Sequence, residues 1–500
     1  MSKKVIVIGA GPGGLSASML LSHKGYQVEM FERKDSVGGR NYPLRLGEYT
    51  FDLGPTFFMM KDVLEDIFSF TGRKLEDYVK LYRLDPLYRL QFADGHTFLP
   101  TKDQEKMKKQ MEEWIPGSYS GYQKYLKREK IKYDTIIPCL RVPYDKWTSF
   151  LSWQFIRSIP KLEAHKSLYK QLGTYFGEPD MRVCFSFQAK YLGMSPWSCP
   201  GTFSILSFIE HYGGIYHIQG GLNRLSHAMA KVVKEEGGNI HLNKTVDEII
   251  IENGKAVGIR LENGDEIRGD YIIINADFAY AMSDLLPEKE LEKYSPSKLK
   301  KKKYSCSTFM LYLGVDKIYH NLEHHNIIFS TDYEKNVREI SSAGVLSADP
   351  SFYIQNASIT DDSLAPAGKS TIYVLVPVPN NKSNLDWEHE QEPYKDLILG
   401  LMENRAGMEN LRDHIEEIKV ITPNDWEEEE NVYMGATFNL AHTMDQMLIF
   451  RPHNRFEEFK KCYLVGGGTH PGSGLPTIYE SGNITAKQIM EEDGMEIKWY

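Results

Sequence analysis

A glycine-rich turn near the start of the chain carries the clearest chemical signal. Gly9, Gly11 and Gly14 follow the first apolar run of the sequence, and the second apolar run ends in an acidic residue, Glu32. Gly9 allows a tight turn, Gly11 lets the backbone approach a pyrophosphate, and Gly14 lets the next helix pack closely on the strand. The N–H groups at the start of that helix would face the phosphates, and Glu32 would accept both hydroxyls of an adenosine ribose. This pattern predicts a dinucleotide site.

A second glycine turn follows soon afterwards, with a basic residue beside it. Gly39 and Arg40 form this turn, and Gly54, Pro55 and Thr56 come after a short polar hairpin. A guanidinium binds phosphate oxygens through two parallel hydrogen bonds, so Arg40 could hold the pyrophosphate from the other side. A nicotinamide dehydrogenase does not need such a segment. FAD is therefore favoured over NAD as the dinucleotide.

A third glycine-rich segment lies near the C-terminal end, between an apolar strand and a helix expected over residues 477–490. Its N–H groups would suit the ribityl chain, the pyrophosphate and the N1–C2 edge of a flavin. That edge gains negative charge on reduction, so the dipole of the following helix would favour hydride acceptance. The residues expected to contact the flavin here are Gly467, Gly468, Gly474, Leu475 and Pro476.

His470 lies in the same segment and is the candidate catalytic residue. A neutral imidazole could accept a proton or polarise the flavin, and the alternative is that it only hydrogen-bonds the surrounding turn. His211 and His217 are further candidates with the same alternative. The spacing of the remaining residues gives no Ser-His-Asp triad, paired carboxylates or metal-ligand motif, so no metal site is predicted.

Composition and charge exclude several classes of protein. The chain has 500 residues, 41% of them hydrophobic and 25% charged, which is typical of a globular protein of two to four domains. A formal net charge of −9 gives no global field that would gather nucleic acid. Five scattered cysteines without metal or pairing spacing indicate free thiols in a reducing, cytoplasmic compartment. No apolar run approaches the length of a spanning helix, and the apolar N-terminus is too short for a signal peptide.

The motifs together resemble the amine oxidase and carotenoid desaturase group of flavoproteins. The glycine fingerprint, the Gly38–Arg40 turn, the Asp52–Pro55 segment and the stretch at residues 469–476 look like the bacterial phytoene desaturase type of carotenoid desaturase, most closely the 4,4'-diapophytoene (dehydrosqualene) desaturases. The similarity extends to about residue 490. In this group, a backbone group near Val246 would contact the adenine, and Asp277 would lie beside the FAD.

The expected fold is α/β, in two parts. A helix over residues 222–236 and strands over 240–242, 245–251, 256–261 and 271–274 would add to the N-terminal Rossmann unit. We predict a discontinuous Rossmann-type FAD-binding domain over residues 1–85, 215–285 and 440–500. A mixed α+β domain over residues 86–214 and 286–439 would bind the substrate and face the membrane.

The resemblance implies FAD-dependent, stepwise desaturation of a linear carotenoid precursor, C30 4,4'-diapophytoene, to diaponeurosporene or diapolycopene. Loss of a hydride to flavin N5 would leave an allylic cation that needs modest stabilisation and then loses a proton. Quinone or oxygen would reoxidise the flavin. The alternatives are an oxygenase of the terminal methyl groups of a C30 carotenoid, a C40 phytoene desaturase, and a non-catalytic FAD-containing isoprenoid carrier.

A hydrocarbon substrate requires an apolar tunnel that opens towards lipid. Residues 147–159 carry large apolar side chains at helical spacing, with Arg157, Lys161 and Lys166 nearby to meet anionic headgroups. The alternative is an amphipathic core helix. The basic cluster at residues 300–303 would add attraction to an anionic surface. We therefore expect a peripheral protein on the inner face of the cell membrane.

Overall fold

The computed structural model describes residues 2–498, so residue 1 and residues 499–500 of the predicted FAD-binding domain lie outside the described part. The strands are β1 (Lys4–Ile8), β2 (Gln27–Phe31), β3 (Pro43–Leu46), β4 (Tyr49–Asp52), β5 (Leu81–Arg83), β6 (Arg89–Gln91), β7 (Thr97–Phe98), β8 (Tyr216–Ile218), β9 (Asn239–His241), β10 (Val246–Glu252), β11 (Lys255–Leu261), β12 (Glu266–Arg268), β13 (Tyr271–Ile274), β14 (Ser307–Val315), β15 (His325–Ile328), β16 (Phe352–Asn356), β17 (Ser370–Val378), β18 (Ile415–Ile421) and β19 (Cys462–Leu464). The α-helices are α1 (Pro12–His23), α2 (Lys61–Phe70), α3 (Gln104–Trp114), α4 (Ser118–Leu140), α5 (Trp153–Leu162), α6 (Leu168–Leu172), α7 (Pro179–Cys184), α8 (Ile205–Gly213), α9 (Asn223–Glu235), α10 (Phe278–Tyr280), α11 (Pro296–Leu299), α12 (Tyr333–Arg338), α13 (Trp387–Asn404), α14 (Pro423–Glu428) and α15 (Leu475–Glu492).

A parallel sheet in the order β19-β13-β1-β2-β9 forms the centre of the first part. Its central strand, β1, is apolar after Lys4 because both faces of the sheet are covered. Val5 and Val7 pack with helices α1, α9 and α15, whereas Ile6 and Ile8 pack against β10 and β11. The strands come from three separated stretches of the chain, so distant segments meet at one sheet edge.

The predicted elements of this part agree with the structure to within two residues at each end. The helix expected over residues 222–236 is α9, and the helix expected over residues 477–490 is α15. The four expected strands are β9, β10, β11 and β13. Differences of this size at element ends are ordinary fraying. The α/β prediction is confirmed.

A mixed sheet in the order β18-β14-β17-β16-β15-β6-β7 dominates the second part. Its pairs are antiparallel except β15 with β6, which is parallel. Strand β14 is buried along its whole length, and its side chains alternate between two cores. Phe309 and Leu311 pack towards α13, whereas Met310 and Tyr312 face β4. The second face of this sheet therefore turns towards the first part of the molecule.

Helices α3, α4, α6, α7 and α8 surround a further core that is rich in aromatic residues. This core lies beside β6 and β15, and it carries the short helical segment Phe187–Leu192. Within residues 2–498, no helix combines the length and the apolar run that crossing a bilayer requires.

Candidate functional site

A cavity of about 360 Å³ lies between the carboxyl ends of the parallel strands and the second face of the mixed sheet. The crevice beyond the carboxyl ends of parallel strands is where open α/β sheets bind ligands, and this volume is that of a small-molecule site. The predicted residues that line it are Gly9, Gly11, Glu32, Gly39, Arg40, Gly54, Pro55, Val246, Asp277, Gly467, Gly474 and Leu475.

Other predicted site residues lie just behind this lining. Gly14 packs on the Gly9 carbonyl, and Gly468 packs on Phe278. The Thr56 hydroxyl is 2.8 Å from the Tyr353 hydroxyl. Pro476 is in the first turn of α15. These four residues support the lining from within the protein.

Two walls of the cavity differ in composition. We call the first the glycine wall, which consists of Gly9, Gly11, Gly39, Gly54 and Gly467. We call the second the apolar wall, which consists of Tyr191, Met310, Tyr373, Leu375, Trp426 and Phe438. The Tyr373 hydroxyl donates a hydrogen bond to the Gly54 carbonyl at 2.7 Å and joins the two walls.

The glycine wall brings backbone segments unusually close together. A Cβ on Gly14 would lie 2.6 Å from the Gly9 carbonyl oxygen, which holds α1 tightly against β1. A Cβ on Gly39 would lie 3.1 Å from the Gly11 Cα, and Gly39 has a positive φ of 54°. Side chains at these positions would fill the cradle that the two glycine turns form. The cradle and the exposed N–H groups of α1 therefore fit the pyrophosphate of a dinucleotide.

Glu32 is fixed at the end of β2 by backbone donors. Its Oε2 accepts a hydrogen bond from the Ala10 N–H at 2.7 Å, and its Oε1 accepts one from the Lys34 N–H at 3.0 Å. Each carboxylate oxygen has two acceptor positions, so lone pairs stay available towards the cavity. The carboxylate can accept ribose hydroxyls without leaving its place.

Arg40 and Asp277 form an ion pair that the sequence did not reveal. The Arg40 Nη2 lies 3.0 Å from the Asp277 Oδ2, and the Arg40 Nη1 donates to the Thr437 carbonyl at 2.5 Å. Asn439 donates to the same carboxylate oxygen at 2.7 Å. Burial raises the pKa of Asp277, and the Arg40 guanidinium opposes that rise. The pair holds the Gly39–Arg40 turn against the segment that follows β13, at the cavity edge.

Arg451 is a buried residue behind the cavity that sequence reasoning did not identify. It is fully buried, and its guanidinium donates to the carbonyls of Gly467 at 2.5 Å, Thr469 at 3.1 Å, and Leu440 and Gln446 at 3.4 Å each. Within residues 2–498 no carboxylate forms a salt bridge with it, and burial lowers its pKa to about 9. Arg451 therefore holds the C-terminal loop in shape from behind the cavity. An arginine followed by proline carries no signal that predicts this position.

Of the three candidate histidines, His470 and His217 are buried and His211 is half-buried, and each is bonded within the protein. The His470 Nε2 donates to the Val142 carbonyl at 3.0 Å, its ring is outside the cavity lining, and burial lowers its pKa to about 3. His217 pairs with Asp361 at 2.8 Å. The His211 Nδ1 is 3.1 Å from the Tyr122 hydroxyl. The catalytic role of His470 stays a prediction.

Residues 12–490 match the model of a protein family described as flavin containing amine oxidoreductase. The chain belongs to this flavoprotein family. Among its relatives, it is 50% identical to a 4,4'-diapophytoene desaturase (4,4'-diapolycopene-forming) from Methylomonas sp, over 99% of this chain and 97% of that protein. It is 37% identical to an all-trans-zeta-carotene desaturase from Myxococcus xanthus, over 98% and 94%. It is 34% identical to a 4,4'-diapophytoene desaturase (4,4'-diaponeurosporene-forming) from Staphylococcus aureus, over 98% and 99%.

Solved structures of an oxidase and of an oxidoreductase share the fold. A putrescine oxidase variant aligns with a TM-score of 0.64 at 13% identity, over 98% of this chain and 99% of that one. An oxidoreductase from Methanosarcina mazei aligns with a TM-score of 0.63 at 17% identity, over 98% and 100%. The resemblance to carotenoid desaturases, the two-part α/β fold and the prediction of FAD as cofactor are confirmed. The protein is a flavin-dependent oxidoreductase.

Proposed function

We propose that the protein desaturates 4,4'-diapophytoene stepwise to 4,4'-diapolycopene. The observation that carries this proposal is the 50% identity, over nearly the full length of both chains, to a desaturase that forms diapolycopene. The chain is also 34% identical to a diaponeurosporene-forming enzyme. This second relative supports diaponeurosporene as a product with fewer double bonds on the same path. The substrate is a hydrocarbon, and the apolar wall offers it the matching surface.

In this proposal the cavity holds FAD along the glycine wall. Gly9, Gly11 and Gly39 would approach the pyrophosphate, Glu32 would accept ribose hydroxyls, and the backbone near Val246 would contact the adenine. The Arg40 guanidinium would face the phosphates. It would either give up its hydrogen bond to the Thr437 carbonyl or keep its ion pair with Asp277 while it binds them. Gly467, Gly474 and the start of α15 would face the flavin edge that gains charge. When bound, FAD supplies the two-electron acceptor for a hydride.

The apolar wall would exclude water from the reacting carbons. Tyr373 is held by Gly54, and the Trp426 indole donates to the Thr308 carbonyl at 3.2 Å, so both rings are fixed by hydrogen bonds. Fixed aromatic surfaces would hold an extended polyene in a single orientation. We also propose that the division into an FAD-binding part over residues 1–85, 215–285 and 440–500 and a substrate part over the rest reflects these two walls.

A cluster of exposed apolar side chains supports delivery of the substrate from a membrane. We call it the apolar patch, and it comprises Trp147, Leu151, Trp153, Ile156, Ile159 and Phe450. Trp153 is 70% exposed and Leu151 is 73% exposed, which is incompatible with a core helix. The rings of Trp147 and Phe450 are in contact at 6.1 Å between centroids, so two distant segments build one surface. Such contiguous apolar patches mark interaction sites.

Basic residues lie along the same side of the molecule. Met444, which is 58% exposed, precedes Asp445, whose carboxylate pairs with Lys303 at 3.1 Å. The basic cluster at residues 300–303 therefore adjoins the segment that leads to Phe450. Arg157 and Lys166 are also exposed, whereas Lys161 donates to Thr135 at 2.8 Å. Aromatic side chains with nearby cations suit an anionic lipid surface on the inner face of the cell membrane.

The proposal also assigns the electron acceptor to quinone or oxygen. An apolar patch at a bilayer would give a lipid-soluble quinone a route to the cavity. FAD-loaded protein reduced by substrate without oxygen should therefore regain its oxidised spectrum when quinone-containing vesicles are added. Reoxidation by oxygen alone would assign the acceptor to oxygen.

Expression in a host that makes only diapophytoene tests the reaction. The expected result is a coloured product with the chromophore of diapolycopene. A colourless extract would overturn the proposal, and colour in a phytoene-producing host alone would assign the C40 substrate. Oxygen incorporated into a supplied C30 carotenoid would identify an oxygenase instead, and bound but unchanged lipid would identify a carrier.

A further inference from the structure

A buried carboxylic acid lies behind the apolar wall and has no role in the chemistry described above. Glu210, on α8, is fully buried. Its Oε2 accepts hydrogen bonds from the Tyr88 hydroxyl at 3.0 Å and from the Gln188 amide at 2.9 Å. Within residues 2–498 its Oε1 has no hydrogen-bond partner. A buried carboxyl oxygen without a donor is costly, so its position needs an explanation.

Tyr191 connects this acid to the cavity. Its side chain lines the apolar wall, and it packs between Phe57 and Phe187 with ring centroids 5.1 Å and 5.9 Å away. The Tyr191 hydroxyl is buried and also lacks a partner within the described residues. Gln188, which binds Glu210, and Tyr191 are three residues apart in the 3-10 segment Phe187–Leu192, and residues at that spacing share one face of such a segment. The ring faces the cavity, and the hydroxyl is turned towards the acid.

We propose that Glu210 and Tyr191 together stabilise the cation that forms on the substrate during desaturation, an inference that rests on the proposed function. Tyr191 is the catalytic residue because its ring can contact the polyene. Glu210 is a positioning residue that acts through the tyrosine hydroxyl. A negative charge at the hydroxyl end makes the ring more electron-rich, and an electron-rich ring attracts a cation placed against it.

The reaction supplies the cation that such a pair would recognise. A hydride leaves one carbon with its electron pair and goes to the cofactor, so the substrate is oxidised and carries an allylic positive charge. The neighbouring carbon then loses a proton, which the reduced cofactor would take up, and its C–H electron pair becomes the new double bond. A fixed negative charge in a dry site stabilises the developing positive charge more strongly than it would in water.

The protonation of Glu210 makes the proposal testable by pH. Burial raises the pKa of Glu210 to about 7, and the hydrogen bonds from Gln188 and Tyr88, together with the nearby Tyr191 hydroxyl, oppose the rise. Tyr88, Tyr191 and, on α4, Tyr125 are the titratable groups around it, and Glu210 raises the pKa of each. His211, the next residue of α8, turns to Tyr122 instead. The stabilising charge is therefore present above about pH 7 and is lost as the pH falls below that value.

The first experiment measures flavin reduction by diapophytoene in vesicles without oxygen, across pH 5.5 to 9. The wild-type rate should rise with pH around 7, and Glu210→Gln should lower the upper plateau about 30-fold and abolish the rise. Tyr191→Phe should lower the upper plateau of the rate to a similar extent. The double variant should have a plateau no lower than that of either single variant. Tyr122→Phe, a matched change in the same core, should keep the wild-type profile.

The second experiment uses binding and needs no turnover. The probe is a linear isoprenoid amine whose ammonium nitrogen replaces the cationic carbon, compared with the neutral hydrocarbon of the same length. Holoenzyme should bind the ammonium probe about 30-fold more tightly than Glu210→Gln does at pH 8, and the hydrocarbon equally well. Equal binding of both probes by both proteins, or unchanged pH profiles in Glu210→Gln and Tyr191→Phe, would overturn the proposal. If wild-type flavin is not reduced at all, the proposed function fails, whereas the binding comparison still decides this inference.

Discussion

The two walls of the cavity are built in opposite ways. The glycine wall uses backbone atoms from short turns, and its close approach to a ligand is possible because side chains are absent there. The apolar wall uses large side chains from separate strands and helices, which only the fold brings together. In the proposed function, cofactor binding would therefore depend on the absence of side-chain atoms at a few positions, whereas substrate binding would depend on their presence. Changes in the two walls should have separable effects.

The largest effect should come from adding one carbon behind the glycine wall. Gly14→Ala places a Cβ 2.6 Å from the Gly9 carbonyl, so α1 must move away from β1. Overpacking of this kind costs about 3 kcal/mol, and we expect FAD affinity to fall about 100-fold. Flavin fluorescence titration measures the change. Gly177→Ala is the matched control, because no atom lies within 4 Å of its Cβ position. Normal FAD binding by Gly14→Ala would contradict the close approach of α1 and β1.

Arg451 supports the glycine wall at the C-terminal loop, and its loss should have the next largest effect. Arg451→Met removes the donors to the Gly467 and Thr469 carbonyls, and each buried carbonyl left unpaired costs about 1–3 kcal/mol. We expect unfolding free energy to fall by about 3 kcal/mol and FAD affinity to fall about 10-fold. Urea unfolding and FAD titration measure the two changes. Arg451→Lys should lie between wild type and Arg451→Met, and an affinity equal to wild type in both variants would argue against the loop contacts.

His470, which is buried beside the glycine wall, should make the unfolding free energy depend on pH. Burial holds the folded-state pKa of His470 near 3, below its usual 6.5, so the unfolded chain binds more protons between these values. The stability this histidine contributes is full above pH 6.5 and is lost as the pH falls towards 3. Between pH 6.5 and pH 5 the loss is about 2 kcal/mol. In His470→Asn the unfolding free energy should fall less between pH 6.5 and pH 5, by the amount that this histidine contributes. Urea unfolding at both pH values measures the difference. If the unfolding free energy changes equally with pH in the two proteins, His470 is in contact with solvent.

The apolar patch lies outside both walls and should affect delivery alone. Trp153→Ser exposes less apolar surface to lipid, and we expect vesicle binding to fall about 10-fold while FAD affinity stays constant. Co-sedimentation with anionic vesicles measures the binding. Ile418→Ser is the matched control, because Ile418 is 42% exposed on β18 and lies outside the patch. An equal loss in both variants would show that the patch has no special contact with lipid.

The sequence predicted the glycine wall better than the apolar wall, for a physical reason. Gly9, Gly11 and Gly14 act within a single strand, turn and helix, so their spacing alone carries the information. The pairing of Arg40 with Asp277, and the hydrogen bond from Tyr88 to Glu210, join residues that are distant in the chain. Such contacts depend on packing of whole elements, and no local pattern encodes them.

The segment at residues 147–159 illustrates a different limit. Helical spacing of large apolar residues is the same for a core helix and for a helix at a lipid surface. Only the exposure of Trp147, Leu151 and Trp153 distinguishes the two, and exposure depends on how α5 lies on the remainder of the protein. Likewise, no pattern in the sequence indicates that Arg451 is buried, because its burial depends on how the surrounding elements pack.

Anaerobic mixing of FAD-loaded protein with diapophytoene in vesicles tests the central claim most directly. Flavin absorbance and the polyene spectrum are recorded together. The expected result is bleaching of the flavin in step with new polyene bands, with one two-electron reduction for each double bond formed. Bound diapophytoene beside flavin that stays oxidised would contradict the claim.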